Sequence, residues 1–266
     1  MNNIYKLPIQ ARFSGTGALC EYYHFLIEFA PKVLYYCFPN HKISNINILV
    51  PKAGGFYLTH PKNSARTMAH LFQEIFEDKI KIVSLTDTSL IYPIIPFASN
   101  REDYWGDDNP MYYLNFQHFI LTKFKIRQHI RTKQILIIRR GIQKGCEKAK
   151  LHTLQTGADR RHLPDKFFQD ISNYLAKTKQ NFQIVVLDNM SLLQQIELFY
   201  HSRLVIGIHG AGFSNLIFCQ PGTKVLELGE VLVPCYVNLA KKMNLKYYTK
   251  NTKKFSECQN ILEELT

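Results

Sequence analysis

Five short runs in the second half of the chain, 134–138, 182–187, 204–208, 224–228 and 245–248, are apolar on both sides of the strand. This feature constrains the fold more than any other. A strand with one wet face alternates apolar and polar residues, whereas a strand covered on both faces does not. Helical spacing fills the intervals between these runs. It is clearest at 163–177 (Phe167, Phe168, Ile171, Tyr174, Leu175) and recurs at 191–200, in a short helix from Ser214, at 235–243 and at 257–265. Asp188 or Ser191 is available to cap the second helix. Such alternation predicts a parallel sheet with helices on both faces.

The first half carries a looser version of the same rhythm. A long helix over 18–38 precedes a strand at 46–50, an Asn63-capped helix reaching Phe76, and a strand at 80–85. A Pro-, Asn- and Asp-rich loop and an aromatic helix follow. With 266 residues, the chain has room for two modest domains at ~100–200 residues each. The reading is α/β: a Rossmann-like domain at 1–110, a linker helix at 111–130 and a Rossmann-like doubly wound domain at 131–266. Two such lobes imply a cleft between them, with ligands outside the carboxyl ends of the strands.

Composition excludes several classes. Hydrophobic residues make up 46% and charged residues 20%, which rules out disorder. No apolar run approaches the ~20 residues of a membrane span, and MNNIYKLPIQARF lacks the apolar core of a secretory signal. The expectation is a soluble, cytoplasmic protein. Six cysteines without a CxxC pair argue against a zinc site or a disulfide scaffold. The net charge of +12 is concentrated: twelve Lys or Arg against Glu147 and Asp159 fall between Lys123 and Arg161. That excess calls for an anionic partner (nucleic acid, a membrane surface or a phosphorylated small molecule) or else forms a solvated basic face.

The strongest local signal is the apolar run 204–208 entering His209-Gly210-Ala211-Gly212, with Ser214 and Asn215 just beyond. Glycines admit a sharp turn and a close ligand, and the free N–H groups of the following helix suit phosphate. Ser214 and His209 add side-chain donors. The same residues also suit a tight turn whose glycines serve only packing. Glu227, a carboxylate at the end of a buried strand, needs either an ion-pair partner or a ligand such as a ribose diol. Arg139 and Arg140 end the first strand of this lobe, and Arg160 and Arg161 precede the next helix. Their planar donor forks fit a diphosphate.

In the N-terminal helix, Glu21, His24 and Glu28 form a polar stripe on an otherwise apolar cylinder. His24 or Glu28 has the chemistry of a general base, and an internal hydrogen-bond network would account for the stripe equally well. Asp103, Asp107 and Asp108 are the alternative carboxylates.

These segments together resemble glycosyltransferase family 61. The stretch VIGIHGAGFSNLIFCQPGTKVLELGE is similar to the family's C-terminal signature, and Tyr23-His24-Phe25-Leu26-Ile27-Glu28-Phe29-Ala30-Pro31 to its N-terminal motif. Arg139, the Arg161–Asp165 segment and Gln194-Gln195-Ile196 also find counterparts, while Phe25 stands for the family's usual Trp and Asp165 for a common Asn. The resemblance implies a GT-B fold with two lobes facing a cleft. It also implies an inverting, metal-independent transfer from a UDP-sugar, xylose first and N-acetylglucosamine second, to a glycan or glycoprotein hydroxyl. The donor would be held by Arg139, Arg161, His209, Gly210, Ala211, Gly212, Ser214, Asn215 and Glu227, with Glu28 and His24 catalytic. No Asp-x-Asp pair occurs in the chain, so cationic side chains and helix N-termini would have to neutralise the diphosphate. The length and the lack of an anchor suggest a bacterial or viral setting. A nucleic-acid-binding protein using residues 123–161 is the alternative.

Overall fold

The structure is a computed structural model that describes residues 3–6, 22, 24–38, 40, 45–50, 68–84, 109–127, 134–140, 162–230 and 234–266. It divides into two units, Met1–Lys125 and Ile126–Thr266.

The first unit holds a parallel sheet ordered β1 (Asn3–Lys6), β2 (Ile46–Val50), β3 (Ile80–Ser84). The sequence reading did not include β1. The long helix expected over 18–38 is described as a π-helical turn, His24–Phe29, leading into α1 (Ala30–Cys37). Pro31 suits the first turn of α1, where an absent N–H costs nothing. Phe25, Phe29 and Phe72 of α2 (Met68–Phe76) pack ring against ring, so the Phe at position 25 fills an aromatic core. The aromatic helix is α3 (Pro110–Lys123), capped by Asn109. It packs within this unit, its Tyr112 ring lying edge-on to Tyr35 of α1.

The second unit is an all-parallel sheet of β4 (Gln134–Ile138), β5 (Phe182–Val185), β6 (Ser202–Ile208), β7 (Lys224–Leu228) and β8 (Lys246–Lys250). Their order in the sheet is β5-β4-β6-β7-β8. Counted within the unit this is 2-1-3-4-5, a doubly wound order that reverses between β4 and β6. One face of the sheet, with Ile135, Ile137, Leu204, Ile206, Leu226 and Leu228, buries against α4 (Asp165–Lys177) and α7 (Phe255–Leu265). The opposite face carries Leu136, Val205 and Val225, and α5 (Leu192–His201) lies on β4 and β6. A 3-10 helix, Ala211–Phe218, and α6 (Cys235–Lys242) pack on each other. Ser191, not Asp188, caps α5, forming a reciprocal capping box with Gln194.

No helix among the described residues is long and apolar enough to cross a membrane. Cys37, Cys219, Cys235 and Cys258 are free and buried, and burial pushes the Cys37 thiol up to about 12 and that of Cys258 to about 11. These thiols behave as small hydrophobes, not nucleophiles.

Candidate functional site

Parallel strands deliver their carboxyl ends to one edge of the sheet, and the order of a doubly wound sheet opens a crevice where it reverses. Here that point lies between Arg139-Arg140 after β4 and His209-Gly210 after β6.

The two arginines point to different places. Arg139 donates from Nη2 to Oδ1 of Asp165 at 2.6 Å and lies over the Phe168 ring at 5.1 Å. Its fork is engaged at the start of α4. Arg140 lies across the turn, its Nη1 3.6 Å from where a Cβ on Gly210 would sit. Adjacent residues leaving a strand face opposite ways, and the two guanidinium groups accordingly lie in different places. Arg161, Asp103, Asp107 and Asp108 lie outside the described residues.

The three glycines of the segment differ. A Cβ on Gly207 would meet the Phe213 ring at 2.9 Å and Ile138 at 3.3 Å, and one on Gly212 would meet Leu187 at 3.0 Å. Both glycines allow close packing. Gly210 has extended backbone, and a Cβ there would touch nothing closer than the Arg140 guanidinium. Packing therefore explains Gly207 and Gly212 but not Gly210, which leaves backbone open beside a cation. No side chain caps the 3-10 helix that starts at Ala211, an exposed residue. Its first N–H groups carry the partial positive charge of a helix start.

The polar side chains behind the turn form two networks. In the first, the fully buried Glu227 meets Nδ1 of His209 through Oε1 at 2.7 Å, while Oε2 accepts from the Tyr247 hydroxyl at 2.8 Å. The strand register brings them together. Gly207 pairs with Glu227 and Val225 with Tyr247, so all three side chains leave one face of the sheet. Burial and the Glu227 carboxylate push the Tyr247 phenol well above its ordinary value, so it remains an O–H donor. Both oxygens of Glu227 are thus occupied within the protein. The sequence reading offered this carboxylate either an ion-pair partner or a ribose, and within the protein its partners are His209 and Tyr247. The Tyr236 ring lies 5.0 Å from that of His209, and its hydroxyl donates to the Gly210 carbonyl at 2.7 Å.

In the second network, Asn215 Nδ2 donates to Gln195 Oε1 at 2.9 Å and to the Gly212 carbonyl at 3.2 Å. Gln195 Nε2 donates in turn to the carbonyls of Leu187 and Met190. An amide nitrogen has two hydrogens, and both are used here. Asn215 therefore ties the 3-10 helix to α5 with both of its side-chain amide hydrogens. Ser214 is fully buried, and its Oγ finds no hydrogen-bond partner among the described residues. A buried hydroxyl in that state costs ~1–3 kcal/mol, which a bound oxygen would remove.

In the first unit, Glu28 is 6% exposed and Lys32 4%, four residues apart on a π-to-α junction. Lys32 Nζ lies 5.9 Å from the Tyr112 ring centroid. Single π turns recur at functional sites. Glu21 and the side chain of His24 lie outside the described residues, as does most of the basic 123–161 stretch. No cluster of three His, Cys, Asp or Glu suited to a metal occurs among the described residues.

Sequence reasoning missed Tyr247 and Tyr236 and gave Gln195 no role. The signal for Tyr247 was available: a buried strand carboxylate needs donors on adjacent strands, and the strand expected at 245–248 carries two tyrosines.

Comparison with known proteins adds independent information. A family model described as Glycosyltransferase 61 matches residues 22–226. Among curated proteins, an EGF domain-specific O-linked N-acetylglucosamine transferase of Xenopus laevis is 33% identical over 73 residues. The protein of the same name from Mus musculus is 31% identical over 78 residues. These matches cover 26% and 27% of this chain and only 14% and 15% of the relatives.

Proposed function

The chain belongs to the glycosyltransferase 61 family, and from that premise we propose that it transfers a sugar from a UDP-sugar to a hydroxyl of a glycan or glycoprotein. The observation that carries the donor half is the crevice between β4 and β6, where Arg140 faces the open backbone of Gly210. A diphosphate needs cationic forks and N–H donors, and both converge there. We assign the diphosphate to Arg140 and to the amides of Gly210, Ala211 and Gly212, with the Ser214 hydroxyl as a further contact.

Xylose ranks first on the sequence resemblance alone. The names of the two relatives carry N-acetylglucosamine, so that sugar moves ahead of xylose as the proposed cargo. Inversion needs a base to take the acceptor proton as the hydroxyl attacks opposite the leaving UDP. We assign that role to Glu28, with His24 as its motif neighbour. Neutralisation of the leaving diphosphate by side chains and amides makes the reaction independent of a divalent metal.

A screen measuring UDP release from UDP-N-acetylglucosamine, UDP-xylose and other UDP-sugars, with and without chelator, tests this reading. Release from one donor, unchanged by chelator, is the expected result. No release and no thermal stabilisation by UDP, together with tight nucleic-acid binding, would overturn it.

A further inference from the structure

We infer that Glu227, its second oxygen held by the Tyr247 hydroxyl, is a positioning residue: it keeps a hydrogen on Nδ1 of His209, so that the neutral ring takes the Nδ1–H tautomer. In that neutral form the ring carries its lone pair on Nε2. The chain of contacts runs over three adjacent strands, from the Tyr247 hydroxyl to Oε2 and from Oε1 to Nδ1. A carboxylate accepts at both oxygens and has no hydrogen to give, so the hydrogen in the 2.7 Å contact belongs to Nδ1. The neutral imidazole has only one ring hydrogen, and Nε2 is left as an acceptor. Nε2 has no partner among the described residues. The Tyr236 ring against one side and the Tyr236 hydroxyl on the Gly210 carbonyl hold imidazole and turn together.

The consequence reverses the sequence expectation for this ring. In its neutral form His209 accepts from a hydroxyl at Nε2, where a phosphate would require a donor. A nucleotide sugar carries such hydroxyls on its ribose and its sugar, and Glu227 acts on them through the ring. This consequence rests on the donor-site reading above; the tautomer does not.

The test uses the full chain with ¹⁵N-labelled histidine and no ligand, the His209 signals being identified by their loss in His209→Gln. At a pH high enough to keep the ring neutral, the wild type should show a protonated Nδ1 and a bare Nε2. In Glu227→Gln the Tyr247 hydroxyl still donates to the amide oxygen. The amide N–H₂ then faces the ring, Nδ1 becomes the acceptor, and the proton moves to Nε2. In the double variant Glu227→Gln/Tyr247→Phe the amide is free to turn, and the proton returns to Nδ1. A bare Nδ1 in the wild type, or a protonated Nδ1 in folded Glu227→Gln, overturns the inference, and the wild-type measurement stands even if a variant fails to fold.

Kinetics give a separate arm. The kcat/KM for the donor should fall about tenfold in Glu227→Gln, the size of one lost hydrogen bond, and recover in the double variant. If the tautomer behaves as stated but kcat/KM stays flat in all variants, His209 remains correctly assigned and its role toward the donor is lost.

Discussion

Residues 24–37 and 202–218 both hold polar side chains inside apolar surroundings, and they do so in different ways. Around 202–218 the partners come from distant parts of the sequence: Glu227 and Tyr247 for His209, Gln195 for Asn215. Such cross-strand networks lock a turn in place and specify one geometry. In 24–37 the charges sit on a single helix, Glu28 and Lys32 four residues apart, with the Phe25, Phe29 and Phe72 rings in the same core. The 202–218 region therefore reads as a cross-strand scaffold, the 24–37 region as two buried charged side chains carried on one rod.

The sharpest way to break that contrast is Glu28→Gln, which keeps shape and removes the carboxylate proposed as the base. Turnover should fall ~10²–10⁴-fold, the usual contribution of a general base. UDP affinity, assigned to the other unit, should stay within about twofold by calorimetry. Near wild-type turnover in a folded variant would make Glu28 a structural residue and erase the distinction drawn above.

Arg139 and Arg140 bring the contrast down to neighbouring residues. Arg140→Ala should weaken UDP binding by ~1.5–3 kcal/mol if its guanidinium meets a phosphate. Arg139→Ala should leave UDP affinity within ~0.5 kcal/mol, since that fork is held by Asp165 and stacked on Phe168. The reverse ranking in calorimetric titrations would return the site to Arg139.

The glycines sharpen it further. Gly207→Ala drives a methyl to 2.9 Å from a buried ring and should cost ~1–3 kcal/mol in chemical denaturation, the range for overpacked cores. Gly210→Ala meets only the Arg140 tip at 3.6 Å. Its stability should lie within ~0.5 kcal/mol of wild type, while its UDP affinity drops. Equal loss of stability in both variants would mean that Gly210 also serves packing.

The sequence was most informative where periodicity carries the signal. The strands β2, β4 and β7 begin and end where the apolar runs do, because a two-faced burial pattern has no other solution in a parallel sheet. The strand β1 was not visible: NIYK is four residues long, and nothing in its pattern separates a short edge strand from a loop. The glycine turn was legible as a turn. Its interior was not, because whether Glu227 faces a ligand or a histidine depends on register across three strands. No local pattern encodes that register. The same holds for Asn215, whose two amide hydrogens are spent on groups up to 20 residues away. The choice between Arg139 and Arg140 is likewise a matter of which face a residue leaves a strand on.

The smallest effect expected is at Asp165, and it tests whether Arg139 is held by charge or by shape. The pair is short, 2.6 Å, but Arg139 is 38% and Asp165 76% exposed. Exposed pairs contribute ~0.2–1 kcal/mol. Asp165 also sits in the first turn of α4, where a negative charge interacts favourably with the helix N-terminus by ~0.3–1 kcal/mol. Asp165→Asn keeps an oxygen for the arginine and removes both Coulomb contributions. The loss should be about 0.5–2 kcal/mol at low ionic strength. It should shrink toward zero in 1 M salt, where charges are screened over ~3 Å. The cation–π contact with Phe168 survives the substitution and keeps Arg139 out of the crevice. UDP affinity should therefore not change. A gain in UDP affinity in Asp165→Asn would show that the carboxylate had been holding Arg139 back from the ligand, and that both arginines belong to the site.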